Sequence, residues 1–232
     1  MDNFGIFGIY NSMGPAGVAA FLFWAIASIT LHELAHGWAA IWQGDDTPRI
    51  YNRMTWNPIV HMGWTSIILL CIAGIAWGVM PTNPGNYRWG RRGRIVVSGA
   101  GPAMNVLIGL ICWSAVGIIV AKGLVTRDVP DSPWHRVLDF AVIGATLNGM
   151  LALFNMLPIP PFDGASVLAG FSRTYYRWMH DPRVANIGFF VVIVALVSGI
   201  SSILSNYANN AGMAWAAFVG GLVSGGSSTL GG

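Results

Sequence analysis

Four stretches of the chain, residues 16–42, 95–121, 137–157 and 184–204, are apolar over twenty residues or more. A bilayer core of about 30 Å needs about 20 apolar residues in helix, so stretches of this length point to membrane-spanning helices. Composition agrees. Only 9% of the 232 residues are charged, against about 25% in a soluble domain. Twelve Lys/Arg and nine Asp/Glu cannot cover a soluble globule of this size, which excludes an ordinary cytosolic enzyme. The net charge of +3 comes from arginines in loops with no basic run, so nucleic acid is not an expected partner.

Two further apolar stretches are ambiguous. Residues 62–80 are interrupted by Gly63, Gly74 and Gly78 and end at Pro81, and residues 211–223 are short and lead into a Gly/Ser tail at 224–232. There is no internal repeat and no loop long enough for a soluble domain. The expected fold is an all-α polytopic membrane protein, a single domain over 1–232 with its core at 16–172. It has about five transmembrane helices, with a re-entrant or interfacial segment at 62–80 between the first and second spanning helices, and a flexible tail. No Lys or Arg precedes Arg49, so the first apolar segment lacks the basic region of a cleaved signal peptide. Cys71 and Cys112 sit singly in apolar stretches and read as small buried hydrophobes.

The first long stretch contains His32-Glu33-Leu34-Ala35-His36. Residues four apart share one face of a helix, so both imidazoles reach the same ion. Zinc accepts neutral imidazole nitrogens, and a catalytic site keeps one position open for water. Glu33, beside the first ligand, is placed to take a proton from that water. It is the only glutamate in the chain. An ionisable group at mid-bilayer costs about 2.5–3.5 kcal/mol on insertion scales, so it is rarely there without a role. The competing reading is a hydrogen-bonded polar cluster that packs two helices.

A catalytic zinc of this kind needs a third protein ligand, and the strongest candidate is Asp163, in the run from Asn155 to Gly164. Pro158, Pro160 and Pro161 force non-helical backbone beyond the 137–157 segment, and such backbone at membrane depth is tolerated where protein or a wet cavity covers it. Asn148 and Asn155 lie seven apart on one helix face, where their amides could hold a peptide carbonyl or a developing oxyanion. A substrate role is favoured for Asn155. Asn148 stays a candidate substrate contact, with interhelical packing the heavier alternative. His61 is a second candidate substrate contact, with a place at the membrane interface as its alternative. The small residues of Gly99-Ala100-Gly101-Pro102 read as a site of close helix approach, and His135 and His180 as loop residues.

Together these residues resemble the site-2 protease family of intramembrane zinc metalloproteases. The resemblance rests on His-Glu-Leu-Ala-His at 32–36, Gly-Pro-x-x-Asn at 101–105 and Asn-x-x-Pro-x-Pro-x-x-Asp-Gly at 155–164, in family order, and covers residues 16–172. The chain looks most like compact members in which the metal-binding helix comes first. The resemblance implies one zinc held by His32, His36 and Asp163, Glu33 as the base that activates water, and Asn155 as a residue holding the scissile peptide. The implied substrate is a membrane protein or membrane peptide, cut in or near its transmembrane segment. Compact members usually carry an Asp two residues after the His61 position; here that residue is Gly63.

Topology offers a check. If His36 and Asp163, each near the C-terminal end of an apolar helix, reach one ion, the two helices run parallel and an odd number of crossings separates them. With 62–80 re-entrant, Lys and Arg divide nine to three between the two faces; with 62–80 spanning, they divide seven to five. Cytoplasmic loops collect Lys and Arg, so the re-entrant arrangement is favoured, with the metal site toward the cytoplasm. The expected location is the plasma (inner) membrane of a prokaryote. A prenyl-protein protease type would need a later Glu as ligand, and the chain has none. The remaining rival is a catalytically silent membrane scaffold that retains the metal site. The sequence leaves the oligomeric state open.

Overall fold

Proline, glycine and capping side chains set the element boundaries. In the computed structural model, which describes residues 5–125, 132–179, 181, 184 and 199–225, every regular element is helical. Helix α1 (Gly5–Trp42) bends at Gly14, just before Pro15. The short α2 (Thr47–Ile50) follows. Helix α3 (Pro58–Ala73) opens with Asn57 accepting from the Ile59 amide, bends at Gly63 and ends where Gly74 takes φ 71°. That left-handed conformation suits a residue without a Cβ, and it turns the chain back on itself.

Helix α4 (Arg91–Ala121) and α5 (Pro133–Asn155), the latter capped by Ser132, are followed by α6 (Asp163–Phe171), α7 (Arg173–Met179) and α8 (Ile200–Gly225). Three helices are long and apolar enough to cross a bilayer, Gly8–Trp42, Arg91–Ala121 and Pro133–Asn155, and Pro58–Ala73 is a shorter apolar one. The protein is thus an integral membrane protein. The expected span at 184–204 falls mostly outside the described residues, as does His180. The ambiguous stretch at 211–223 is not short: it belongs to a single helix of 26 residues, which also takes in Ser224 and Gly225 of the expected tail. His135 lies in the first turn of α5 and not in a loop, because Ser132 and Pro133 start the helix earlier than its apolar pattern suggests.

Helix α4 is the hub and packs against α1, α5, α6 and α8. Small residues permit this: a Cβ at Gly212 would enter the Trp113 indole, and one at Gly117 would strike the Ala216 backbone. The outward surface is apolar, with Val106, Leu107, Ile111, Val120, Phe218 and Leu222 exposed, while Ser28, His32, Glu33, Asn105 and Asn148 are buried. Polar groups inside and apolar ones outside are what lipid solvation selects.

Between α1 and α4 the chain makes a hairpin, out as α3 and back as extended backbone. Ser66 Oγ donates to the Trp77 carbonyl and accepts from its amide, both at 2.8 Å, and the Val79 amide donates to the His61 carbonyl at 3.0 Å. The return ends where it began: the Arg88 amide donates to the Gln43 carbonyl at 2.7 Å, and Asp45 accepts from the Asn83 amide at 2.6 Å. The start of α4 is therefore pinned to the end of α1. Trp24 Nε1 donates to the Phe140 carbonyl and Asn148 donates to Ser28 Oγ, so α1 and α5 run side by side in the same direction.

Candidate metal centre

His32 and His36 stack one turn apart on α1, about 10 and 6 residues before its end at Trp42. Neither side chain is free to rotate. His36 Nδ1 lies 2.7 Å from the Val97 carbonyl, which only accepts, so Nδ1 carries the proton. His32 Nδ1 lies 2.5 Å from Asn105 Oδ1. A single backbone group fixes that contact too. Asn148 Nδ2 must donate to the Gly144 carbonyl, which turns Asn148 Oδ1 toward Asn105. Asn105 Nδ2 donates to it at 3.0 Å, which leaves Asn105 Oδ1 to accept from His32. Asn105 and Asn148 are both fully buried, so the chain of bonds has no competing water. Both imidazoles hence present an unprotonated Nε2 to the same point.

Asp163 meets them there. The Pro-rich run after α5 leaves helical geometry, and Asp163 enters as the first residue of α6. A Cβ at Gly164 would collide with the Met156 carbonyl, so this turn closes tightly only with glycine. Asp163 Oδ2 lies 3.1 Å from His32 Nε2 and 3.3 Å from His36 Nε2, and the two Nε2 atoms are 3.0 Å apart. A tetrahedral zinc with bonds of about 2.0–2.1 Å puts its ligand atoms about 3.3–3.4 Å apart, so this triangle is close to the size required. The His/His/carboxylate donor set, with both nitrogens fixed as acceptors, fits a divalent cation. Gly101 lets α4 come near, since a Cβ there would run into both Nε2 atoms. The close approach expected around Gly99–Gly101 is thus an approach to the imidazoles.

Glu33 is buried beside His32. The returning arm of the hairpin passes over it so closely that a Cβ at Gly78 would lie 2.6 Å from Glu33 Oε1. One helix and one extended segment enclose the carboxylate next to the three candidate ligands.

The structure thus brings His32, Glu33, His36 and Asp163 together and sets the other candidates around them. Asn155 ends α5, half-buried, with its Nδ2 donating to the Leu151 carbonyl; no hydrogen bond among the described residues joins it to the ligand atoms. Asn148 forms the far end of the His32 bond chain. His61 is buried in α3, with Nε2 donating to the Thr55 carbonyl at 2.7 Å and Nδ1 buried without a hydrogen-bond partner among the described residues. Sequence reasoning missed the positions of Asn105, Gly101 and Gly78 in the site. The first two sit in the Gly-Pro-x-x-Asn string, which was a usable signal; for Gly78 the only hint was an apolar run broken by glycines.

The family model described as Peptidase family M50 matches residues 118–199. Among curated proteins, YwhC of Bacillus subtilis (strain 168), whose name gives zinc metalloprotease as a provisional assignment, is 33% identical over 179 residues, covering 76% of this chain and 80% of that protein. The zinc metalloprotease MJ0392 of Methanocaldococcus jannaschii is 24% identical over 188 residues, covering 78% of this chain and 44% of that protein. No solved structure matches.

Proposed function

Since the chain belongs to peptidase family M50, the site-2 protease family of zinc metalloproteases, we propose that it hydrolyses a peptide bond in or near a transmembrane segment of a membrane-protein substrate. The observation that carries this reading is the convergence of His32 Nε2, His36 Nε2 and Asp163 Oδ2 with Glu33 buried alongside. One zinc held by those three atoms would polarise the scissile carbonyl and make a bound water acidic. Glu33 accepts the proton of the attacking water on its carboxylate and returns it to the departing amine nitrogen. Asn105 and the Val97 carbonyl hold the imidazoles, and their second bonds keep both Nε2 lone pairs aimed at one point.

Placing the hairpin at membrane depth as a re-entrant element brings Glu33 and the ligands under its cover. It leaves α1, α4, α5 and α8 as spanning helices beside the 184–204 segment, about five in all. The exposed arginines of the loops then face the cytoplasm, with the metal site on that side. An open apolar cavity of about 290 Å³, lined in part by Phe23, Ala27, Leu31 and Trp56, lies along α1 within a turn of the site. We assign it to the incoming substrate segment. Asn155, at the mouth of the Pro-rich turn, supports the substrate peptide in this reading.

The test compares variants of the purified full chain. Glu33→Gln retains one zinc per chain and loses cleavage of a membrane-peptide substrate by at least about 10³-fold, while His36→Ala loses both metal and cleavage. Cleavage that survives Glu33→Gln overturns the mechanism. Zinc content unchanged in His36→Ala overturns the ligand set.

A further inference from the structure

Four arginines converge on a second cavity. Arg91 and Arg94 of α4 and Arg173 and Arg177 of α7 line a space of about 510 Å³, and no carboxylate among the described residues lines it. Within each helix the two cations are three or four residues apart, a spacing at which like charges repel. Among the described residues what offsets them is limited: Arg91 Nη2 donates to the Phe171 carbonyl at 2.5 Å, and the Arg94 guanidinium sits 4.7 Å over the Tyr176 ring. A guanidinium has five donors, and these two contacts use few of the set that lines the cavity. A fold that gathers four positive charges around an open space is completed by an anion.

The depth of the cavity says which anion. It lies at the start of α4, where the apolar surface of that helix gives way to charge. Trp89 and Trp178, each the chain neighbour of a lining residue, are both 48% exposed. Exposed tryptophans of this kind mark the headgroup level of a bilayer. The arginine-rich ends of the helices also lie on the face assigned to the cytoplasm, where anionic lipid concentrates and where basic pockets between membrane helices hold headgroups. A choline headgroup would bring its own cation against the four already present.

We propose that this cavity binds the phosphodiester of an anionic phospholipid. The lipid ties α7 to the start of α4. Helix α6 connects that point to the site, since its first residue is Asp163 and its Gly170 packs directly on Ile95. The proposal rests on the placement of the chain in a bilayer and not on catalysis, so a failure of the protease reading and a failure of this one are separable.

Native mass spectrometry of the detergent-purified full chain, with equimolar palmitoyl-oleoyl phosphatidylglycerol and phosphatidylcholine, tests it without any protease assay. One phosphatidylglycerol is expected to be retained in preference to phosphatidylcholine. Arg173→Gln combined with Arg177→Gln lowers that affinity about 25-fold, since each arginine near the surface contributes about fivefold. Arg173→Lys with Arg177→Lys preserves most of it, and Lys122→Gln with Arg136→Gln at the other end of the helices leaves it unchanged. Equal retention of the two lipids overturns the proposal. So does a Lys pair that loses as much as the Gln pair, because charge is then not the determinant. Displacement of phosphatidylglycerol by an equal concentration of inorganic phosphate also overturns it, by marking a site for the free anion.

Discussion

Residue identity reaches the metal centre through tautomers. His32 and His36 are useful ligands only while each Nδ1 holds its proton, and the structure secures this with one backbone carbonyl at Val97 and one amide relay through Asn105 and Asn148. The His32, Glu33 and His36 positions were legible from spacing alone, because an i, i+4 pair in a helix leaves no choice of face. Asp163 was legible because prolines cannot continue the preceding helix. Asn105 was not assigned a role, because an amide inside an apolar helix looks the same whether it packs two helices or holds an imidazole, and only the fold shows which. Asn105→Ala removes the acceptor from His32 Nδ1 and leaves Asn148 Oδ1 without its donor. Zinc affinity is expected to fall about 10–100-fold, the usual consequence of losing such a partner. Competition against a chelator would measure it. An unchanged affinity would mean that His32 is oriented by packing alone.

At the level of elements, the hairpin that shields Glu33 is held shut at its base by Asp45. This carboxylate is fully buried just past the end of α1, and burial by itself pushes its pKa up. Hydrogen bonds from Thr47, the Asn83 amide and Asn86 outweigh that, and the net shift is downward. A carboxyl group whose pKa is lower folded than unfolded stabilises the fold above its unfolded value and loses that contribution as pH falls through the folded one. Asp45→Asn should therefore loosen the hairpin base at neutral pH, by about 1–3 kcal/mol, since donors at Asn83 and Asn86 are left facing an amide. Hydrogen exchange at the Asn83 and Arg88 amides is the measurement. The variant exchanges faster near pH 7, and the gap to wild type closes as pH drops below the ordinary aspartate value of 3.8. A gap that persists in acid would assign the effect to shape and not to charge. The glycine-broken apolar run of 62–80 announced an irregular element, but its partition into a helix and an extended return was not readable, because it depends on Ser66 meeting Trp77.

For the molecule as a whole, shared coordination of one ion imposes a topological demand: α1 and α5 must run parallel. The sequence carried this demand in the order of its motifs and the uneven distribution of its arginines, although nothing local told how residues 62–80 are folded. The structure meets it through the hairpin, whose ends are joined at Gln43 and Arg88. That joint makes the orientation testable on the intact membrane. In a background with Cys71 and Cys112 replaced by serine, single cysteines at Asp46, Arg88 and Lys122 report the two faces. Helix α4 spans 31 residues, about 46 Å, more than the bilayer core, so positions at its two ends are separated by the full hydrocarbon layer. Asp46→Cys and Arg88→Cys should be labelled by a membrane-impermeant maleimide only in inside-out vesicles, and Lys122→Cys only in right-side-out cells. Labelling of positions 46 and 88 from opposite sides would require α3 to cross the bilayer. Asp163 would then be carried away from the paired imidazoles, and no single ion could hold all three.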